Sequence, residues 1–437
     1  MNTPPTAPTA FRASILHFLA DPGADETAPA AQFFEDGLLI VENGKVTSVG
    51  SAHDLLPALS AHVRVIDHSG KMIIPGFVDA HIHYPQLDII AAPGRQLLDW
   101  LEHYTFPAER RFGDAAYARE VADFFLDELL RNGTTTALVF GTVHKQSVDA
   151  FFDAAAAKDL RMIAGKVLMD RNCPDYLRDT PESGYRDSAE LIAKWHGRDR
   201  LEYAITPRFA VTSSEQQLAL AGKLAAEHPT TRIHTHVAEN AAEVAWIREL
   251  FPASRSYLDV YDQFGLLREG AVFAHCIHFD DDDRRRMAES GAAAAFCPTS
   301  NLFLGSGLFD VAAADRANMQ FAVATDVGGG TSFSMLRTLS EAYKVAQMRG
   351  HFLSPLRAFY LATLGGARVL GLADRIGNFA AGKEADFIVL DMESTLLAAR
   401  RATQTRTLPE RLFALMMLGD DRAIAETYVL GRPMLAH

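Results

Sequence analysis

The chain has 437 residues, of which 48% are hydrophobic and 22% charged, a balance that fits a globular protein with a large core and not a disordered or fibrous one. A formal net charge of -13 argues against nonspecific binding to nucleic acid or to an anionic membrane surface. Three cysteines (Cys173, Cys276 and Cys297) with no Cys-x-x-Cys pair exclude a disulfide scaffold and fit a reducing cytoplasm, and no apolar run reaches the length of a membrane helix.

Met1-Asn2-Thr3-Pro4-Pro5 lacks the basic-then-apolar order of a signal peptide and reads as a short flexible lead-in. Residues 11–19 and 38–41 form short apolar segments, and 63–66 reads as a further strand. Asn43-Gly44 after the second segment marks a tight hairpin turn. This block is too small for a core of its own and is expected to pack with something later.

From residue 72 the texture alternates. Strand-like runs fall at 72–78, 134–140, 161–168, 201–205, 232–237, 271–275, 292–297 and 320–325, with helical stretches at 117–131, 148–158, 214–227 and 281–290. Eight strands, most followed by a helix, indicate an α/β chain folded as a (β/α)8 TIM-type barrel. A doubly wound sheet is the alternative, but no Gly-x-Gly-x-x-Gly follows an early strand. After Arg368 β texture returns at 386–390 and 426–430. The expected organisation is a barrel over 73–370, with 1–72 and 371–437 combining into one small discontinuous β-sandwich domain.

Functional residues of such a barrel collect at the C-terminal ends of its strands. His81 and His83 end the first, and alternation puts both on one side. His236 and, three residues on, Glu239 follow the fifth; His275 ends the sixth and Asp326 the eighth. Neutral imidazoles with one carboxylate suit zinc or ferrous iron. His234 shares a face with His236, so geometry alone does not exclude it as a ligand; its deeper position assigns it a hydrogen-bonded interior role. Each residue taken singly has an ordinary structural reading, whereas all of them at one rim point to a metal site. A metal there would lower the pKa of a bound water, with Asp326 placed to accept its proton and Glu239 to shuttle protons onward. The chemistry is hydrolytic: there is no phosphate-binding Gly-rich loop ending in Lys-Ser/Thr, and no His-x-Glu with Pro-Cys-x-x-Cys.

The His-x-His, the later histidines and the closing Asp resemble the amidohydrolase superfamily in its mononuclear form. Where binuclear relatives carry a carboxylated lysine, this chain has Thr206-Pro207-Arg208-Phe209; Lys166, on the third strand, reads as structural. Six blocks, among them 75–86, 98–109 and Phe296-Cys297-Pro298-Thr299-Ser300-Asn301, are similar to the guanine-deaminating branch. That resemblance implies hydrolysis of guanine to xanthine and ammonia and one zinc per chain, with iron as the alternative, held by His81, His83, His236 and Asp326. It also implies Glu239 as proton shuttle, His275 as the group that orients the attacking water, and a homodimer. Arg208 offers a fork of donors for a purine oxygen, Gln86 a donor and an acceptor, and Phe209 a face for the base, with Leu98 and Trp100 closing the other side. Core packing is the competing role for both aromatics. The runner-up is an amidohydrolase for another amino-substituted purine, a pterin or a triazine; a non-catalytic scaffold on this fold would be expected to have lost ligands.

Overall fold

A computed structural model describes residues 8–23, 30–94 and 96–434, so the lead-in at 1–5 lies outside the described residues. The N-terminal segment forms β1 (Thr9–Phe18), β2 (Ala31–Glu42), β3 (Lys45–Ser51) and β4 (Arg64–Pro75). The middle of the chain forms β5 (Phe77–His83), β6 (Thr134–Phe140), β7 (Arg161–Gly165), β8 (Val167–Leu168), β9 (Leu201–Pro207), β10 (Arg232–Val237), β11 (Ala271–His275), β12 (Ala293–Phe296) and β13 (Gln320–Val323). The C-terminal segment adds β14 (Phe387–Leu390), β15 (Ile424–Val429) and β16 (Arg432–Pro433).

The two ends of the chain share one seven-stranded sheet, ordered β16-β15-β14-β4-β1-β2-β3. Phe11, Phe387 and Tyr428 pack together on one of its faces, which is the core that the N-terminal block lacks alone. Asn43 (φ 52°) and Gly44 (φ 75°) are both left-handed between β2 and β3, the backbone that an Asn-Gly hairpin turn requires.

The middle strands run parallel in the order β13-β12-β11-β10-β9-β7-β6-β5, with β8 a short extension paired to β9. Closure takes place at the C-terminal end. The Asp326 N–H donates to His81 O at 2.9 Å, and the His83 N–H donates to Val327 O at 2.7 Å. Buried Asp79 reinforces the seam, accepting from the Thr325 N–H and the His81 N–H on one oxygen and from the Thr325 hydroxyl on the other. Helices such as Ala115–Arg131, Lys145–Ala157, Glu215–Glu227 and Asp281–Ser290 cover the strands, their apolar faces meeting the barrel wall. The architecture is the expected barrel with an added sheet from both chain ends.

Two local readings change. The run 72–78 is not one strand: β4 ends at Pro75 in the small sheet and β5 starts at Phe77 in the barrel. Gly76 makes the crossing, since a Cβ there would lie 2.1 Å from Thr135 Oγ1. The C-terminal segment also contains helices Leu396–Ala402 and Leu408–Leu418, and the second packs against the barrel helix Met335–Met348. At the far end of the barrel Arg161 and Arg200 converge on Glu384, with Arg200 also on Asp386, and this buried ion cluster ties barrel to sheet. The three cysteines are buried and unpaired. Among the described residues no helix is long and apolar enough to cross a membrane.

Candidate metal and catalytic site

Four side chains from three strand ends converge at the closed end of the barrel. His83 Nε2 lies 3.1 Å from His81 Nε2 and 3.2 Å from His236 Nε2, while Asp326 Oδ1 is 3.1 Å from His81 Nε2 and 3.3 Å from His83 Nε2. The outer nitrogens explain the orientation. His236 Nδ1–H donates to Arg208 O at 2.6 Å, which leaves its Nε2 lone pair facing inward. His81 Nδ1 meets His234 Nε2 at 2.7 Å, and a His81 proton shared in that contact leaves the His81 Nε2 lone pair facing inward. The Gln86 amide lies 3.2 Å from His83 Nδ1.

Burial lowers the pKa of His81 and His236 and brings His83 down to about 3. Burial opposes the charge of Asp326, yet the imidazoles, His81 foremost, hold its carboxyl well below the usual range. The site is thus three neutral imidazoles and one carboxylate in the protonation states that a divalent metal needs. Three imidazole nitrogens and a carboxylate oxygen gathered this closely fit a cation at their centre. His81, His275, Cys297 and Asp326 form an overlapping group whose ligand atoms lie within 4.8 Å of one another.

Beside these four side chains a carboxyl and an imidazole face each other. Glu239 is buried on the turn after β10, with the Ser306 hydroxyl donating to its Oε1 at 2.8 Å and its Oε2 3.3 Å from His275 Nε2. Burial, with Asp326 adding to it, pushes the Glu239 carboxyl up to about 8. Asn301 Oδ1 accepts from His275 Nδ1–H at 2.9 Å, which aims the other ring nitrogen at Glu239. His275 reaches this position against strand alternation. Ala274 lies in register with His236 across β10 and β11, so the next side chain would face outward; a left-handed backbone at His275 (φ 77°) turns it back. Asp326 (φ 52°) and Ala238 (φ 49°) share that conformation, each at a cost of about 1 kcal/mol or more. Strain in three non-glycine residues around one point marks a place where side-chain direction matters more than backbone comfort.

These groups open into one shared pocket. Gln86, Trp100, Arg208 and Phe209 line it, together with His83, His236, Glu239, His275 and Asp326. Leu98 does not. It lies on helix Leu97–Trp100, whose inward positions one turn apart are Leu97, Trp100 and Leu101, and Leu98 packs half-buried against the core instead. Lys166 pairs with Asp179 away from the donors.

The Amidohydrolase family model matches residues 72–434. The chain belongs to the amidohydrolase family. It is 55% identical over 408 residues to guanine deaminase of Escherichia coli (strain K12), which covers 93% of each chain. The solved structure of E. coli guanine deaminase superposes with a TM-score of 0.96 at 52% identity, over 98% of this chain and 100% of that one. Guanine deaminase from C. acetobutylicum, solved with guanine bound in its active site, superposes with a TM-score of 0.88 at 29% identity, over 98% and 100% of the two chains. The family resemblance carried by the motifs is therefore borne out.

Several pocket residues of this amidohydrolase escape a reading of the sequence. Glu243 lines the pocket and caps helix Ala241–Leu250, accepting from the Glu239 N–H at 3.0 Å and the Asn240 N–H at 3.2 Å; Asn240-x-x-Glu243 is a capping-box pattern that could have been found. Ser306 and Asp79, which stand behind the pocket and support Glu239 and the barrel seam, carry no comparable signal. The three glycines 328–330 fit around backbone: a Cβ on Gly328 would lie 2.6 Å from Gln86 O, and one on Gly330 1.8 Å from Thr325 O.

Proposed function

We propose that this amidohydrolase hydrolyses guanine to xanthine and ammonia. The observation that carries the reading is the buried Glu239–His275 pair, set beside Asp326 and opening onto the Arg208 side chain, in a chain that is 55% identical to a guanine deaminase. The pocket wall supplies donors for a neutral purine. Arg208 Nη1 is engaged by Glu109, while Nε and Nη2 have no hydrogen-bond partner among the described residues and suit the ring carbonyl.

We assign one zinc ion to His81, His83, His236 and Asp326; when bound it supplies a water of lowered pKa and positive charge beside the developing oxyanion. The remaining steps belong to the chain. Glu239, with Oε1 tied to Ser306, turns Oε2 towards His275 and the pocket, where it takes a proton from the attacking water. It passes that proton to a ring nitrogen, where the product keeps it; the second proton of the water, left on the added oxygen, then goes through the same carboxylate to the exocyclic amine, so that the carbon–nitrogen bond breaks as the carbonyl forms and ammonia leaves neutral. His275, oriented by Asn301, holds the water through Nε2. Leu97, Trp100 and Leu101 exclude solvent. A homodimer and a cytoplasmic setting complete the proposal.

The test is ammonia release from guanine, with xanthine identified as the product, by the full metal-replete chain; adenine, a 2-aminopterin and an aminotriazine serve as parallel substrates. Guanine left unchanged, or turnover of one of the others in its place, overturns the reading.

A further inference from the structure

Arg208 is buried at 2% exposure, and a cation so placed is costly unless paired. Its partner is Glu109, itself fully buried, with both carboxylate oxygens 2.9 Å from Arg208 Nη1. Glu109 stands on helix Phe106–Arg110, and Phe106, one turn earlier on the same helix, lies 5.4 Å from the centre of the guanidinium. The carboxylate and the ring therefore fix the guanidinium from two sides and leave Nε and Nη2 as its free edge. The Gln86 side chain also stabilises the Glu109 carboxylate. One carboxylate thus reaches both polar side chains that face the substrate, and it touches none of the metal donors.

We infer that Glu109 is the positioning and specificity-determining residue of this pocket: it aims the donors of Arg208 and cancels their charge, so that the site takes a neutral oxopurine and not an anionic one. Without that charge the guanidinium would attract anions, and the pocket would bind acidic oxopurines that it now rejects. The inference rests on the guanine reading, because it concerns how that base is held.

The experiment compares wild type, Glu109→Gln and Glu109→Asp as full metal-loaded chains. It measures guanine kcat and KM, metal content, and inhibition by urate, which is anionic at neutral pH. Glu109→Gln removes the charge at nearly constant shape. It should keep its metal and lose about 100-fold in kcat/KM, mainly through KM, as expected for a misaligned donor. Urate should bind it at least 10-fold more tightly than it binds wild type, an outcome that general loosening of the fold cannot produce. Glu109→Asp keeps the charge but withdraws the carboxylate by one methylene; it should weaken guanine without favouring urate, and it decides the question if Glu109→Gln does not fold. A guanine KM unchanged in either variant, or urate weakened in step with guanine in Glu109→Gln, overturns the inference. Wild type that leaves guanine untouched refutes the activity itself, a result separate from any difference among the variants.

Discussion

Glu239→Gln offers a test in which activity and stability should move in opposite directions. The amide keeps the shape of the side chain, and its oxygen can still accept from Ser306, so the turn after β10 has no reason to move. What disappears is the ability of the atom 3.3 Å from His275 Nε2 to exchange a proton. Loss of a general acid–base should lower kcat by about 10²- to 10⁴-fold, or roughly 3–5 kcal/mol of barrier, with metal content unchanged. The same residue burdens the fold. Its carboxyl sits at about 8 in the folded chain against an ordinary 4.5, because burial and then Asp326 disfavour its charge. A pKa raised by folding contributes stability that is present below 4.5 and lost as pH rises through 8. At pH 7 the metal-free variant should therefore be more stable than metal-free wild type by roughly 3 kcal/mol, at about 1.4 kcal/mol per tenfold in proton affinity. The advantage should shrink towards zero near pH 4.5. Steady-state ammonia release, metal analysis and denaturant titration of the stripped proteins at pH 5 and 7 measure each part. A kcat within tenfold of wild type removes Glu239 from the proton path, and a stability gain that does not vary with pH contradicts the electrostatic account.

Replacing His234 by Leu should weaken metal binding about 10- to 100-fold in chelator competition, because His81 Nδ1–H loses its acceptor; Gln, which can still accept, should recover part of the loss, and equal losses in both variants would point to packing instead. Gly330→Ala should destabilise the chain by about 1–3 kcal/mol and lower metal occupancy, since the new Cβ meets Thr325 O at 1.8 Å beside Asp326; an unchanged melting temperature would show that the loop yields freely. Glu384→Gln leaves Arg161 and Arg200 short of counter-charge and should cost about 3 kcal/mol in denaturant unfolding. Because this cluster lies at the far end of the barrel, the folded fraction should keep its kcat, and a fall in kcat would show coupling across the barrel.

The barrel was legible because strand and helix periods alternate cleanly and because histidines and a carboxylate at strand ends are rare residues at predictable places. Pro75-Gly76 was legible as a break in one strand, but not as the boundary between two sheets. Met72 to Val78 is buried in two sheets in succession, so the apolar run continues through the crossing with no polar turn to mark it. Leu98 was misplaced for a related reason. On a four-residue helix the inward face is set by where the turn begins, at the Gln96 cap, and Leu97-Leu98 offers two equivalent side chains for one position. Glu109 closes one of the matching blocks without any role of its own being legible there, and its burial depends on an arginine 99 residues further along the chain. His275 was found by its position at a strand end, although alternation alone would have turned it outward; the left-handed backbone that brings it in leaves no residue-type signature.

The side chains proposed to hold the metal and those proposed to read the base share their supports. The carbonyl of Arg208 takes the outer proton of His236, while its guanidinium faces the pocket. The Gln86 amide touches His83, accepts the Gly328 N–H and meets Glu109. A shift of the 208 backbone therefore alters the direction of a metal ligand, and a shift of Gln86 alters another. Substrate-wall substitutions that act only through side-chain donors should leave the metal in place, as Glu109→Gln does by design; those that move backbone should release it. Loss of guanine affinity and loss of metal then become separable observations at neighbouring atoms of one residue, which is why metal content has to accompany every kinetic constant measured on this pocket.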